Sequence, residues 1–398
     1  MIYKARNKRP IAIAGGGIGG LACALALAQR GFKSVVLEQA RDFGEVGVGL
    51  QVAPNALHVL DALGVGERVK KDAFLIERMV MADAVTGDEI LNIECGEAFK
   101  KRFGNPYAVA HRADIHGTLL DACREQNLVE LRTSSRVTSY EEREGGVDVL
   151  LSSDESIKAD ALVGADGVRS VVRNRIVNDG EALPSGAMIY RAVIPAEQMP
   201  RDLQNPYPII WAGPGTHIIY YPVRDWKVFN FGATIANGAT SVNEEEDAPP
   251  AETLPLFEHG CDTPLRVMRI PKSFKRYLVR HREPAENWTQ GAVTLIGDAA
   301  HPMVQYMAQG AAMALEDAIC LGVCMTETDG DYGVAFKRYQ DTRIVRASRV
   351  QMSSLLMDKI NHARGVARLV RNSLFEGRSQ EEHYQRLAWL YTAPPYVK

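Results

Sequence analysis

This chain of 398 residues has only six cysteines, at positions 23, 95, 123, 261, 320 and 324, with no C-x-x-C pair. That scatter argues against a disulfide scaffold and the usual zinc modules, so no metal site is expected. It suits a reducing compartment, and a cytoplasmic location is expected. An excess of charge is also missing. The net charge is −3 and no basic block dominates, which argues against nucleic acid as a partner. No 18-residue stretch is apolar without interruption, so no membrane span is expected. Lys4, Arg6, Lys8 and Arg9 precede an apolar run ending in Ala-Leu-Ala, in the manner of a signal peptide, but five glycines between 15 and 20 break that run. Internal repeats are absent. What remains is 46% apolar and 24% charged, the mixture of a soluble globular chain with room for two or three domains.

The most informative stretch is IAIAGGGIGG, residues 11–20. A short apolar run enters the glycines, and a helical pattern leaves them with Ile18, Leu21, Leu25 and Ala28 on one face. Gly15, Gly17 and Gly20 fill a G-x-G-x-x-G frame: one glycine for the tight turn, one for close approach of a pyrophosphate, one for helix–strand packing. A second strand, 34–37, ends on Glu38, where an acid can bind ribose hydroxyls. Strand, helix, second strand and acid together predict dinucleotide binding.

Residues 43–51, FGEVGVGLQ, read as a glycine-rich loop, and 79–83 with 89–93 as a hairpin. Arg112 falls at a strand–helix junction, where a cation could reach a phosphate. Segments 129–133, 137–140 and 147–152 read as a small meander. The strand within 161–170 ends in Asp166-Gly167, at the edge where open α/β sheets bind ligands. From 188 to 234 four β-rich segments follow without long helices, predicting a separate antiparallel sheet. Residues 241–252, acidic and bearing proline, read as a surface loop. The strand at 292–296 runs into Gly297-Asp298, His301-Pro302 and Gln305, and then into a strong helix from about Gly310. Residues 334–370 read as one or two amphipathic helices packing on the body or on a second subunit.

The glycine turn with its acid, the Gly-Ala-Asp-Gly strand end and the GDAAHP segment before a helix together resemble the single-component FAD-dependent aromatic hydroxylases of the para-hydroxybenzoate hydroxylase fold, over about residues 9 to 390. The resemblance implies an α/β protein: a Rossmann-like FAD-binding domain (1–76, 105–182 and 283–330), an inserted antiparallel-sheet substrate domain (77–104 and 183–282) and a C-terminal helical region (331–398). It implies noncovalent FAD held by Gly15, Gly17, Gly20, Glu38, Arg112, Asp166, Gly167, Gly297 and Asp298. Pro302 would lie beside the isoalloxazine ring. The helix from Gly310 would aim its positive end at the flavin, where the reduced form carries negative charge.

Several segments, among them WAGPGTHIIYYPVR and HPMVQYMAQGAAMALEDA, resemble the 3-hydroxybenzoate 6-hydroxylases within that family. The implied reaction uses NADH (or NADPH) and O2 to convert 3-hydroxybenzoate to 2,5-dihydroxybenzoate through a flavin C4a-hydroperoxide, in a homodimer. The implied substrate machinery is His217 as proton acceptor and Gln305 as orienter, with Gln51, Tyr107 and Tyr221 lining the pocket. Salicylate 1-hydroxylases and 6-hydroxynicotinate 3-hydroxylases are the alternatives, both expected to carry a histidine where this chain has Gln305. Outside enzymes, a binding protein related to the GDP-dissociation inhibitors shares the nucleotide fold. With one complete glycine frame there is no second dinucleotide domain, so the nicotinamide would dock transiently.

Overall fold

Ile11–Ala14 lies inside a six-stranded sheet, between Ser34–Leu37 on one side and Ala161–Gly164 on the other, parallel to both. The computed structural model in which this is seen describes residues 5–44, 49–241 and 246–397. The runs IAIA, SVVL and ALVG are buried along their whole length, as parallel strands covered on both faces must be. The helix Ile18–Ala28 departs from the one-faced pattern: all its residues but Gly19 are buried. It is enclosed by the sheet and by the helices Arg112–Arg124 and Gly310–Glu327.

Three expectations need correction. Val129–Arg132 does not join the meander but pairs in parallel with Ser34–Leu37 at the sheet edge. The meander is Val137–Arg143, Gly146–Leu151 and Ser156–Ala159. An alternating pattern marks a strand without naming its neighbour. Within the expected loop at 43–51, residues 45–48 lie outside the described residues, and Gly49–Val52 is a strand antiparallel to Ala108–His111. Its backbone is fixed by side chains of another sheet: Gly49 donates its N–H to Asn230 at 3.0 Å, and its carbonyl accepts from the Tyr221 hydroxyl at 2.9 Å. The expected loop at 241–252 contains an edge strand, Glu246–Ala248, and a short helix, Pro250–Thr253; residues 242–245 lie outside the described ones.

The second large sheet has eight strands, taken from 78–94 and 183–281. Alternation along its strands divides the side chains. Trp211, Ile218, Tyr220, Phe229 and Phe231 pack into one core. Met81, Ile210, Ile219, His217 and Tyr221 turn the other way, toward the parallel sheet. Among the described residues no helix is long and apolar enough to cross a membrane.

A buried charge cluster joins the remaining parts. Arg343, fully buried on the long helix Tyr332–Asn361, bonds Asp317 at 2.7 Å and Glu316 on the helix Gly310–Glu327. Arg346 adds a second cation to Glu316 at 2.7 Å, and the Tyr396 hydroxyl donates to the same carboxylate at 2.9 Å. Asp317 also accepts the Gly297 N–H at 2.9 Å and meets His301 at 2.6 Å. Burial alone would raise the Asp317 pKa, but His301, Arg343 and the Gly297 N–H hold it at about 2. Removing one partner leaves an uncompensated buried charge. Arg343→Met should therefore lose about 3–5 kcal/mol in denaturant unfolding, and Arg346→Met, whose side chain is 19% exposed, should lose less.

Candidate active site

A cavity of about 1250 Å³ lies between the C-terminal ends of the parallel strands and the inner face of the eight-stranded sheet. Single-ligand pockets span roughly 300–1,000 Å³, so a dinucleotide and a small acid can share this one. Of the residues singled out in the sequence, Gly15, Gly17, Glu38, Arg112, Asp166, Gly167, Gly297, Asp298 and Gly310 line it, as do Gln51, Tyr107, His217, Tyr221 and Gln305. Gly20 and Pro302 do not. Gly20 is structural: a Cβ there would stand 2.0 Å from the Gly15 carbonyl oxygen. Pro302 is buried, and its carbonyl accepts from the Gln351 side chain at 3.2 Å. The neighbouring Met303 and Val304 line the cavity.

At the nucleotide end Gly15 has φ +108°, and a Cβ there would stand 2.3 Å from the Ala165 carbonyl oxygen. Gly17 caps the helix Ile18–Ala28 with φ −74°, which any residue adopts. Its backbone conformation does not call for glycine, and it lines the cavity. Glu38 ends its strand with both carboxylate oxygens engaged, by the N–H groups of Gly16 and Ala40, each at 2.8 Å. Arg112 opens the helix Arg112–Arg124; burial lowers its pKa and the Asp298 carboxylate opposes that shift. Asp166 accepts the Val171 N–H at 2.8 Å on one oxygen. Its other oxygen, Oδ1, is buried without a partner among the described residues, and burial is the main reason its pKa is raised. Glycines with no room for a side chain, an unmet acceptor and two helix N-termini on one cavity fit the ADP and ribityl parts of FAD.

At the other end the strand Thr216–Val223 presents His217 and Tyr221. The hydroxyls of Tyr221 and Tyr107 are already donated, to the Gly49 carbonyl and to Gln51 Oε1 at 2.8 Å, so both rings shape the wall. Gln305 stands in a single turn, Gln305–Met307, and its Nε2 is buried without a partner among the described residues. His217 is buried, and burial, then the neighbouring His362, drive its pKa well below 6.5. Its Nδ1 lies 2.8 Å from His362 Nε2, and His362 Nδ1 lies 2.8 Å from Asp358.

His362 and Asp358 were not singled out in the sequence. Their i,i+4 spacing was legible, but in a helix otherwise read as packing it signalled nothing. Arg191 was also missed. Opposite Gly232 on the cavity face, it is a cation whose pKa burial lowers. An isolated arginine in a β-rich segment carries no motif.

A glycine cradle for a dinucleotide opens on a buried pocket lined by the His217 imidazole, an arrangement that fits an oxidoreductase of the flavoprotein class. A family profile described as an FAD binding domain matches residues 8–351, and this chain belongs to that family, as an FAD-dependent aromatic monooxygenase. It is 44% identical to the 3-hydroxybenzoate 6-hydroxylase of Polaromonas naphthalenivorans (strain CJ2), over 96% of this chain and 95% of the relative. It is 43% identical to the enzyme of that name from Klebsiella oxytoca, over 95% of each chain. Two solved structures share the fold. A salicylate hydroxylase substrate complex superposes with a TM-score of 0.82 at 21% identity, over 97% of this chain and 96% of that one. Klebsiella pneumoniae HpxO complexed with FAD and uric acid gives 0.84 at 22%, over 96% and 97%. The non-enzymatic alternative falls away.

The cradle can be tested by colour. Gly17→Val places a branched side chain where the pyrophosphate approaches, and the purified variant should be largely colourless. Full flavin absorbance per mole of protein would show that the cradle has been misread.

Proposed function

We propose that the protein hydroxylates 3-hydroxybenzoate to 2,5-dihydroxybenzoate with NADH and O2. The observation that carries this is the buried imidazole of His217 in an otherwise largely apolar sheet face, within one cavity with the flavin cradle. FAD bound in the cradle supplies the redox chemistry, taking electrons from the reduced nicotinamide and activating O2 for transfer of one oxygen to the ring. The protein's task is to hold the ring, exclude water and make the ring electron-rich.

A phenol with a pKa of about 10 is protonated at neutral pH, whereas its phenolate pushes electron density to the para carbon, which is C6 in 3-hydroxybenzoate. His217 is neutral at neutral pH because burial disfavours its charged form, so an unprotonated ring nitrogen can accept the hydroxyl's hydrogen bond, and full transfer requires the charge to move on beyond His217. Gln305 orients that hydroxyl, since an amide hydrogen-bonds but cannot serve as a base. The buried Arg191 favours an acidic ligand. Met81, Ile210 and Ile219 keep the floor dry. The names of the 43–44% identical relatives support the substrate.

The proposal includes a homodimer, supported by Val366, Leu369 and Val370, which stand exposed on the helix Gly365–Ser373; sedimentation checks it. It also includes a cytoplasmic location, which the six free thiols favour. Product identification by chromatography and mass spectrometry, with 3-hydroxybenzoate, salicylate and 6-hydroxynicotinate in parallel, tests the substrate. A sole product from either of the last two overturns it.

Two kinetic outcomes are expected. Substrate should accelerate flavin reduction, because a transient nicotinamide site makes ungated NADH oxidation wasteful. Stopped-flow traces of equal rate with and without 3-hydroxybenzoate would contradict this. His217→Ala should reduce hydroxylation by roughly a hundredfold to ten-thousandfold, while NADH oxidation continues with release of hydrogen peroxide. Partial recovery is expected at high pH, where the phenol ionises unaided.

A further inference from the structure

We infer that Asp358 and His362 act through His217: they fix the tautomer in which its Nε2 accepts the substrate's hydroxyl proton, and they take up the charge that this transfer creates. The inference rests on the reading of His217 as the proton acceptor, and adds to it two residues on a distant helix.

The hydrogen positions follow from the contacts. Burial would raise the Asp358 pKa, but the hydrogen bond from His362 and the nearby Lys359 charge hold it below the usual carboxylate value, so the group is ionised and can only accept. The nitrogen facing it, His362 Nδ1 at 2.8 Å, must therefore carry hydrogen. In a neutral imidazole the other nitrogen then has the lone pair, so His362 Nε2 is an acceptor. His217 Nδ1, 2.8 Å from it, must be the donor. That leaves the lone pair of His217 on Nε2, in a ring that lines the cavity. Without the carboxylate, His362 could instead carry hydrogen on Nε2. His217 would then hold its own hydrogen on Nε2 and present a donor to the substrate oxygen.

The proton step balances within the chain. The substrate O–H bond breaks as Nε2 of His217 takes the proton, and the hydrogen on Nδ1 of His217 passes to Nε2 of His362. His362 becomes an imidazolium bonded to the Asp358 carboxylate, and the substrate becomes a phenolate. The proton returns when the product phenol forms, so no oxidant or reductant is needed. A carboxylate behind a histidine performs the same service for the base of a hydrolytic triad.

The fold secures the pair. His362 ends the helix Tyr332–Asn361, and its carbonyl accepts the Gly215 N–H at 3.0 Å, which ties the helix end to the turn before Thr216. The Tyr306 ring stands edge-on to both imidazoles, 5.5 Å from each. The other groups facing the pair are Lys359, beside Asp358, and His259 and Arg364, which reach Thr216 and Gly215. Burial and the Asp358 charge push the Tyr306 hydroxyl far up, and burial lowers the His259 pKa, so neither competes as a charged acceptor near neutrality.

The test uses the FAD-loaded enzyme and the variants Asp358→Asn, His362→Phe and Asp358→Glu. Ultraviolet difference titration of bound 3-hydroxybenzoate without NADH, from about pH 6 to about pH 10 to span the imidazole and phenol reference values, reads the phenolate fraction. Product per NADH is measured over the same range. Asp358→Asn and His362→Phe should move the phenolate midpoint up toward that of the free phenol. They should also lower product per NADH near neutrality by roughly tenfold to a hundredfold, with recovery in alkali, whereas Asp358→Glu should retain most of both. A folded, flavin-loaded Asp358→Asn with the wild-type midpoint and coupling overturns the inference. This variant decides even if His362→Phe misfolds, since the Asp358 side chain is 27% exposed and the replacement has the same shape. If the wild type does not bind or convert 3-hydroxybenzoate, the proposed substrate fails separately, and the same titration is run with the phenol it does convert.

Discussion

Two carboxylates with almost no access to water, Glu316 and Asp317, are the constraint on which the rest of the molecule depends. Neighbours in sequence, they could not both stay ionised in the interior without the guanidinium groups of Arg343 and Arg346. The long helix Tyr332–Asn361 must therefore lie across the helix Gly310–Glu327. That crossing has effects in two directions. Toward the cradle, Asp317 holds the Gly297 N–H and His301, which fixes the loop carrying Asp298. Toward the substrate, the same long helix extends to Asp358 and His362, against His217. Cofactor loop and proton path are two ends of one electrostatic arrangement.

The cavity itself is made by two sheets of opposite character. The parallel sheet is buried on both faces and offers only the ends of its strands, where turns, glycines and helix N-termini collect. The eight-stranded sheet offers a face, on which alternate residues are free to differ in chemistry from those packed behind. Mostly apolar side chains there keep out water, which strengthens each of the few polar groups among them. Tyr221 and Asn230 close the seam by bonding the backbone of Gly49.

The nucleotide half of this site was legible in the sequence because its demands are local. A turn that cannot tolerate a Cβ, a helix start and an acid at the next strand end fall within 24 residues, and each has a residue type that satisfies it. The sheet face was legible by alternation, although the partner of Val129–Arg132 was not, since pairing is a property of the whole sheet. Arg191, Asp358 and His362 escaped because their roles are created by contact. Asp358 and His217 lie far apart in the chain, and nothing in either neighbourhood shows that a third residue joins them.

The charge cluster also reaches residues 390 and 396. The Tyr396 hydroxyl and the Leu390 carbonyl are partners of Glu316 and Arg346. During synthesis the glycine turn is made long before the groups that settle the buried charges above it. Domains generally fold as units from the N-terminal side while the ribosome is still adding residues. Here the loop carrying Asp298 gains its full support only once residues 390–396 have been made. The closing of that loop thus waits on residues far along the chain, however early the nucleotide turn has formed.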